Sequence, residues 1–143
     1  MKIYLGADHA GFLLKEKVKS FLKNAIDLGN KKLDPNDDFP MYGKKVAQAV
    51  AKKKNNLGVL ICGSGQGVCI AANKIKGIRA AVAENKQDAF LARKDDDVNV
   101  LCLSGRTTSF PKARIIIQTF LKTKFESIPR RKRRLNEIKA LER

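Results

Sequence analysis

Residues 57–75 read LGVLICGSGQGVCIAANKI. The first six form an almost unbroken apolar run, the pattern of a strand covered on both faces rather than one lying half in water. GSGQG at 63–67 stops that run, and VCIAANKI at 68–75 resumes with helical character. A buried strand, a tight glycine loop and a helix in succession make the first half of a strand–helix–strand unit.

The remainder of the chain repeats this alternation. KIYLG (2–6) reads as a strand, and Gly11 to Asn24 carries Phe12, Leu13, Leu14, Val18, Phe21 and Leu22 at helical spacing. AIDLG (25–29) is a weaker strand, followed by the polar loop NKKLDPNDDFP (30–40) and a helix from Met41 to Lys53. RAAVA (79–83) and VNVLCLSG (98–105) read as strands, KQDAFLARK (86–94) and Ser109 to Leu121 as helices. The basic stretch 127–143 ends in an amphipathic helix with Leu135, Ile138 and Leu141. The expectation is an α/β fold: one Rossmann-like domain over 1–143, with a parallel sheet of about five strands, helices on both faces and a helical tail.

Composition bounds the function. A chain of 143 residues with 43% hydrophobic content buries a real core without staples. No apolar run approaches the roughly 20 residues that span a bilayer, and MKIYLGADHAGF lacks the shape of a signal peptide. A cytoplasmic protein without membrane contact is expected. Cys62, Cys69 and Cys102 form no CxxC pair, and His9 is the sole histidine, so neither a disulfide framework nor zinc spacing is present. The net charge of +16 suits an anionic partner. Its lysine runs, such as AKKKNN (51–56), lack interleaved aromatics and match no nucleic-acid motif, so no specific nucleic acid is expected.

In open parallel sheets, ligands bind beyond the carboxyl ends of the strands. Those ends carry Asp8 and His9, Cys62 to Gly67, Glu84, and Ser104 to Arg106. Gly63, Gly65 and Gly67 let backbone amides approach an anion at the helix start. A dinucleotide reading keeps Glu84 about 20 residues on, but its fingerprint needs a third glycine where Val68 stands. Cys62 at the tip of the strand is either a small buried hydrophobe or a thiol activated by the amide nest. Arginine forks at Arg106 and in the tail suit phosphate oxygens.

Four blocks, GADHAGFLLKE (6–16), DDFP (37–40), LICGSGQGVCIAANKIKGIRAA (60–81) and NVLCLSGR (99–106), together resemble the sugar-phosphate isomerase family of ribose-5-phosphate isomerase B and the galactose-6-phosphate isomerase subunits. The resemblance runs through nearly the whole chain in the right order. It implies aldose–ketose isomerisation through an enediolate, as in the pentose phosphate pathway, without metal or cofactor. It also implies a homodimer or homotetramer whose active sites draw on two subunits, with the tail from about 127 packing on the partner. By the same resemblance Cys62 is the catalytic base, and Gly63, Ser64, Gly65, Gln66 and Gly67 form the loop holding the oxyanion, with Ser64 assisting proton transfer between oxygens. Asp8 and His9 bind substrate, while Arg106, Arg130 and Arg134 grip the phosphate. The tail is one residue longer before Arg130 than in the family, so neighbouring arginines stay open for that role.

One stretch departs from the pattern. Where the family reads R-x-His-Asn-Asp, this chain reads RKDDD (93–97), with Asp95 for the ring-opening histidine and Asp96 for the substrate-touching asparagine. A histidine titrates near 6.5 and an ordinary aspartate near 3.9, so Asp95 fits a base better than an acid. The resemblance therefore leaves an isomerase, which the reading favours, or a weakened phosphosugar-binding relative or subunit. A nucleotide- or nucleic-acid-binding protein is the alternative from another class.

Overall fold

A computed structural model describes all 143 residues. Five strands, β1 (Ile3–Ala7), β2 (Ile26–Asp27), β3 (Leu57–Cys62), β4 (Ala80–Val82) and β5 (Val100–Ser104), form one parallel sheet in the order β2-β1-β3-β5-β4. Six helices accompany them: α1 (Phe12–Phe21), α2 (Phe39–Ala51), α3 (Gln66–Asn73), α4 (Lys86–Asp96), α5 (Phe110–Lys122) and α6 (Pro129–Ala140). The α/β architecture with a helical tail is as the sequence predicts, and no helix is long and apolar enough to cross a membrane.

Every residue of β3 and of β5 is buried, because both lie inside the sheet with helices on each face. Alternate residues divide between two cores. Val59, Ile61, Leu101 and Leu103 pack with Leu14 and Val18 of α1, Ala89 of α4, and Ile116, Ile117 and Phe120 of α5. Leu60, Cys62, Val100 and Cys102 turn the other way, onto Val46 and Val50 of α2 and Val68 and Ala72 of α3.

The DDD stretch belongs to α4, which runs through Asp95 and Asp96 instead of ending at Lys94. Asp97 closes the helix in a left-handed conformation (φ 46°), its N–H donating to the carbonyls of Ala92 and Arg93. Its carboxylate accepts from Arg93 at 2.9 Å and Arg79 at 3.1 Å, supplying the cations that a helix C-terminus favours.

Candidate active site

The carboxyl ends of β1, β3 and β5 are stitched into one edge. The Asp8 N–H donates to the Ile61 carbonyl at 3.3 Å, Gly105 N–H to the Cys62 carbonyl at 2.7 Å, and Arg106 N–H to the Gly63 carbonyl at 3.2 Å. The buried Ser104 hydroxyl also donates to Gly63, at 2.7 Å. Cys62, Gly63 to Gly67, Asp8, His9 and Arg106 therefore stand together, on three neighbouring turns.

Cys62 forms the floor, 4% exposed. The Gly65 N–H lies 3.2 Å from its Sγ, a donor that a thiolate accepts more strongly than a thiol. Gly65 makes this possible by adopting φ +80°, with Leu103 backbone atoms 2.9 Å from where a Cβ would sit. The N–H groups of Gly63, Ser64 and Gly67 meet no acceptor within the chain, so three amides line the start of α3 ready for an anion. The Ser64 hydroxyl and Gln66 are exposed beside them, and Ser64 Oγ accepts from the Gln66 N–H at 3.2 Å. At Gly63 a Cβ would fall 2.8 Å from Arg106 Cζ; its absence lets the exposed guanidinium lie against the cradle.

Asp8 and His9 form the opposite wall. Asp8 is buried, and its Oδ1 accepts from the N–H groups of Ala10 at 3.0 Å and Gly11 at 3.1 Å, which shapes the turn into α1. His9 meets a residue that sequence reading passed over: Asp37 Oδ1 accepts its backbone N–H at 2.8 Å and lies 2.8 Å from Nδ1. This hydrogen bond, with the charge of Asp8 behind it, raises the His9 imidazole above its usual range despite some opposing desolvation. Phe39 comes from the same segment and sets its ring against Gly67. The signal for both was the DDFP block, which carried the resemblance without suggesting a contact. Asp8, His9 and Asp37 place ligand-type atoms within 4.8 Å of one another. Hydrogen bonds already occupy Asp8 Oδ1, Asp37 Oδ1 and His9 Nδ1, so the cluster orients the histidine rather than presenting a free ligand set.

The remaining predicted residues lie elsewhere. Asp95, Asp96 and Asp97 end α4 and precede β5, at the amino edge of the sheet. Asp95 lies 2.7 Å from Arg131 of α6, an ion pair by distance, and Arg131 also pairs with Glu126. Exposed Asp96 lines a cavity of about 650 Å³ with Arg79, Val98, Ile138 and Leu141. Arg130 and Arg134 are exposed one helical turn apart on α6, without a carboxylate partner. Helix α6 starts beside Asp95 and ends where Glu142 accepts from the Gly77 N–H at 2.7 Å, before β4. One chain thus carries two sets of groups, on opposite edges. Glu84 follows β4, which β5 separates from β3, so it does not neighbour the glycine loop as a dinucleotide site requires.

The Ribose/Galactose Isomerase family matches residues 3–138. The chain belongs to the ribose/galactose isomerase family. It is 47% identical over 146 residues to the Mycoplasma pneumoniae protein called "Probable ribose-5-phosphate isomerase B", covering 99% of this chain and 95% of that protein. The crystal structure of ribose-5-phosphate isomerase B from Mycoplasma genitalium with bound ribulose-5-phosphate superposes with a TM-score of 0.93 at 42% identity, over 97% of this chain and 94% of that one. Ribose-5-phosphate isomerase B of Clostridium thermocellum gives a TM-score of 0.94 at 39% identity, over 99% and 97%. The family's α/β frame is thus retained with the RKDDD variation contained in it.

Proposed function

We propose that this chain is an isomerase of the ribose-5-phosphate isomerase B type, interconverting ribose 5-phosphate and ribulose 5-phosphate. The observation that carries the reading is the meeting of a thiol, three unoccupied amides and a guanidinium at one sheet edge. On the open-chain aldose, the Cys62 thiolate takes the proton from the carbon beside the carbonyl and returns it to the terminal carbon. Negative charge on the enediolate oxygens is met by the loop amides, which are fixed before the reaction begins. Ser64 relays a hydroxyl proton between the two oxygens, and Asp8 contacts the sugar hydroxyls. Arg106 holds the phosphate, whose binding energy positions the reacting carbons.

The two-edge distribution supports a site completed by a second copy, as a homodimer or dimer of dimers. In that arrangement Arg130 and Arg134 add to the phosphate grip, and Asp95 and Asp96 approach the sugar end of the cleft. A coupled assay of ketose formation over a panel of aldose phosphates tests the function. Wild type turns over ribose 5-phosphate, and Cys62→Ala falls by about a thousandfold or more. Equal silence of wild type and Cys62→Ala on pentose and hexose phosphates would overturn the reading.

A further inference from the structure

Cys62 is one of three thiols, and isomerisation as proposed uses only that one. The fold brings the other two together. Helix α3 starts at the carboxyl edge and ends before β4, so it runs back antiparallel to the strands. Its last residue is pinned: Asn73 Oδ1 accepts the Ala80 N–H at 2.8 Å, and Asn73 Nδ2 donates to the Ala80 carbonyl at 2.9 Å. Cys69 lies one turn earlier on the same face, with Asn73 Nδ2 at 3.7 Å from its Sγ. One turn back along α3 covers about 5.4 Å, and two residues forward along β4 cover about 6.6 Å. Cys69 therefore stands level with Val82, whose ladder partner on β5 is Cys102. All three pack in one core, Cys102 fully buried within it and Cys69 and Val82 at its margin.

The two thiols differ in character. Cys69 is half-buried, with Ile70 and Asn73 exposed near it on α3, whereas Cys102 has no exposed surface. A hydrogen bond from the Cys102 thiol holds Cys69 below the ordinary cysteine range against the effect of its partial burial, and the Val82 backbone adds to the lowering. Burial, with Cys69 beside it, pushes Cys102 well above that range. An accessible thiol with thiolate character next to a protonated one is the arrangement of an attacking and a resolving cysteine. Cys62 is set back from solvent, 4% exposed beneath the glycine loop.

We propose that Cys69 and Cys102 are a site of reversible oxidation by hydrogen peroxide, closing a disulfide between α3 and β5. The Cys69 thiolate attacks one peroxide oxygen, the O–O bond breaks, and the departing hydroxide takes up a proton to leave as water. The Cys102 sulfur then attacks the sulfenic sulfur of Cys69, the S–O bond breaks, and the Cys102 thiol proton leaves with the hydroxide as a second water. Two thiols are oxidised to one disulfide, and the peroxide is reduced to two waters. Closing the sulfurs to about 2.05 Å draws α3 toward the sheet. The Cys69 N–H donates to the Gly65 carbonyl at 3.4 Å, and the Gly65 N–H meets Cys62 Sγ at 3.2 Å, so that movement reaches the anion cradle. Oxidation therefore slows the isomerase. This consequence rests on the isomerase reading above; the disulfide itself does not.

Full-length protein treated with equimolar hydrogen peroxide tests both statements. Wild type is expected to lose two hydrogens in intact mass, to fall from three free thiols to one, and to yield a linked Cys69–Cys102 peptide. Its turnover of ribose 5-phosphate falls by about tenfold or more and returns with dithiothreitol. Cys102→Ala stops at the Cys69 sulfenic acid, which dimedone captures. Cys69→Ala forms no disulfide and keeps its own untreated turnover at the same dose. Thiols that all stay reduced, oxidation falling first on Cys62, links between two chains, or a Cys69→Ala variant inactivated as fast as wild type would each overturn the proposal. A Cys69–Cys102 disulfide that leaves turnover unchanged refutes the coupling to the cradle. A wild type silent on aldose phosphates before treatment refutes the isomerase reading alone, and the mass and thiol count still decide the pair.

Discussion

Asp95 is a carboxylate in the last turn of α4, where the helix dipole disfavours negative charge. Arg131 offsets this at 2.7 Å, and the adjoining Glu126 N–H donates to the Lys94 carbonyl at 3.0 Å. The charge therefore seats the first turn of α6 against α4, beside Arg130. Asp95→Ala is expected to raise KM for ribose 5-phosphate by about threefold with kcat retained, as befits loss of binding rather than of proton transfer. In a double-mutant cycle with Arg131→Ala, thermal unfolding should give a coupling of about 0.5–1 kcal/mol, modest because Asp95 is 37% exposed. A fall in kcat with KM unchanged, together with loss of a pH limb, would instead make the Asp95 carboxylate part of the proton transfer.

Helix α1 and strand β2 are locked by Lys15, whose fully buried Nζ donates to Asp27 at 2.8 Å and to the Asn30 carbonyl at 2.7 Å. This clamp fixes the start of the segment that brings Asp37 to His9. Burial pushes the Asp27 carboxyl up, but hydrogen bonds from Lys15, the Gly29 N–H and Lys19 outweigh it and hold the group below its usual range. Because the folded value is the lower one, Asp27 stabilises the fold above the ordinary carboxylate range, and that contribution disappears as pH falls through the folded value, below about pH 4. Lys15→Met should cost about 3 kcal/mol in urea unfolding at neutral pH, with Lys19 left as partial compensation at 3.0 Å, and should flatten the loss of stability on acidification. An unchanged midpoint at pH 7 would show that the clamp contributes nothing. At this scale much was legible in the sequence: LGVLIC (57–62) coincides with β3, because a run buried on both faces has an unambiguous pattern. Pattern could not carry α4 through the acidic run, since the stop at Asp97 depends on Arg79, distant in sequence. Nor does local periodicity report that β5 lies between β3 and β4. The glycine loop and Cys62 were visible as chemistry in one stretch, whereas Asp37 became visible only when folding brought it across 28 residues to His9.

Charge over the whole molecule is unevenly committed. Of the arginines assigned to phosphate, Arg106 lies at the carboxyl edge and the unpaired Arg130 and Arg134 on α6, whose ends meet the amino edge. A chain with its thiol on one edge and two of its three phosphate arginines beyond the other gains most from a two-fold partner that sets each edge against its complement. This has a consequence that a site confined to one chain cannot reproduce. Cys62→Ala lacks the base and Arg130→Ala/Arg134→Ala lacks the tail's share of the phosphate grip, so each homodimer has little activity at either site. In a heterodimer of the two, isolated by distinct tags after co-expression, one site holds Cys62 from one subunit and both arginines from the other, while the second site lacks all three. Such a heterodimer should recover about half the wild-type turnover of ribose 5-phosphate, with near-normal KM at the intact site. If it stays as inactive as its parents, thiol and tail arginines serve a site within a single chain, and the second copy does not complete it.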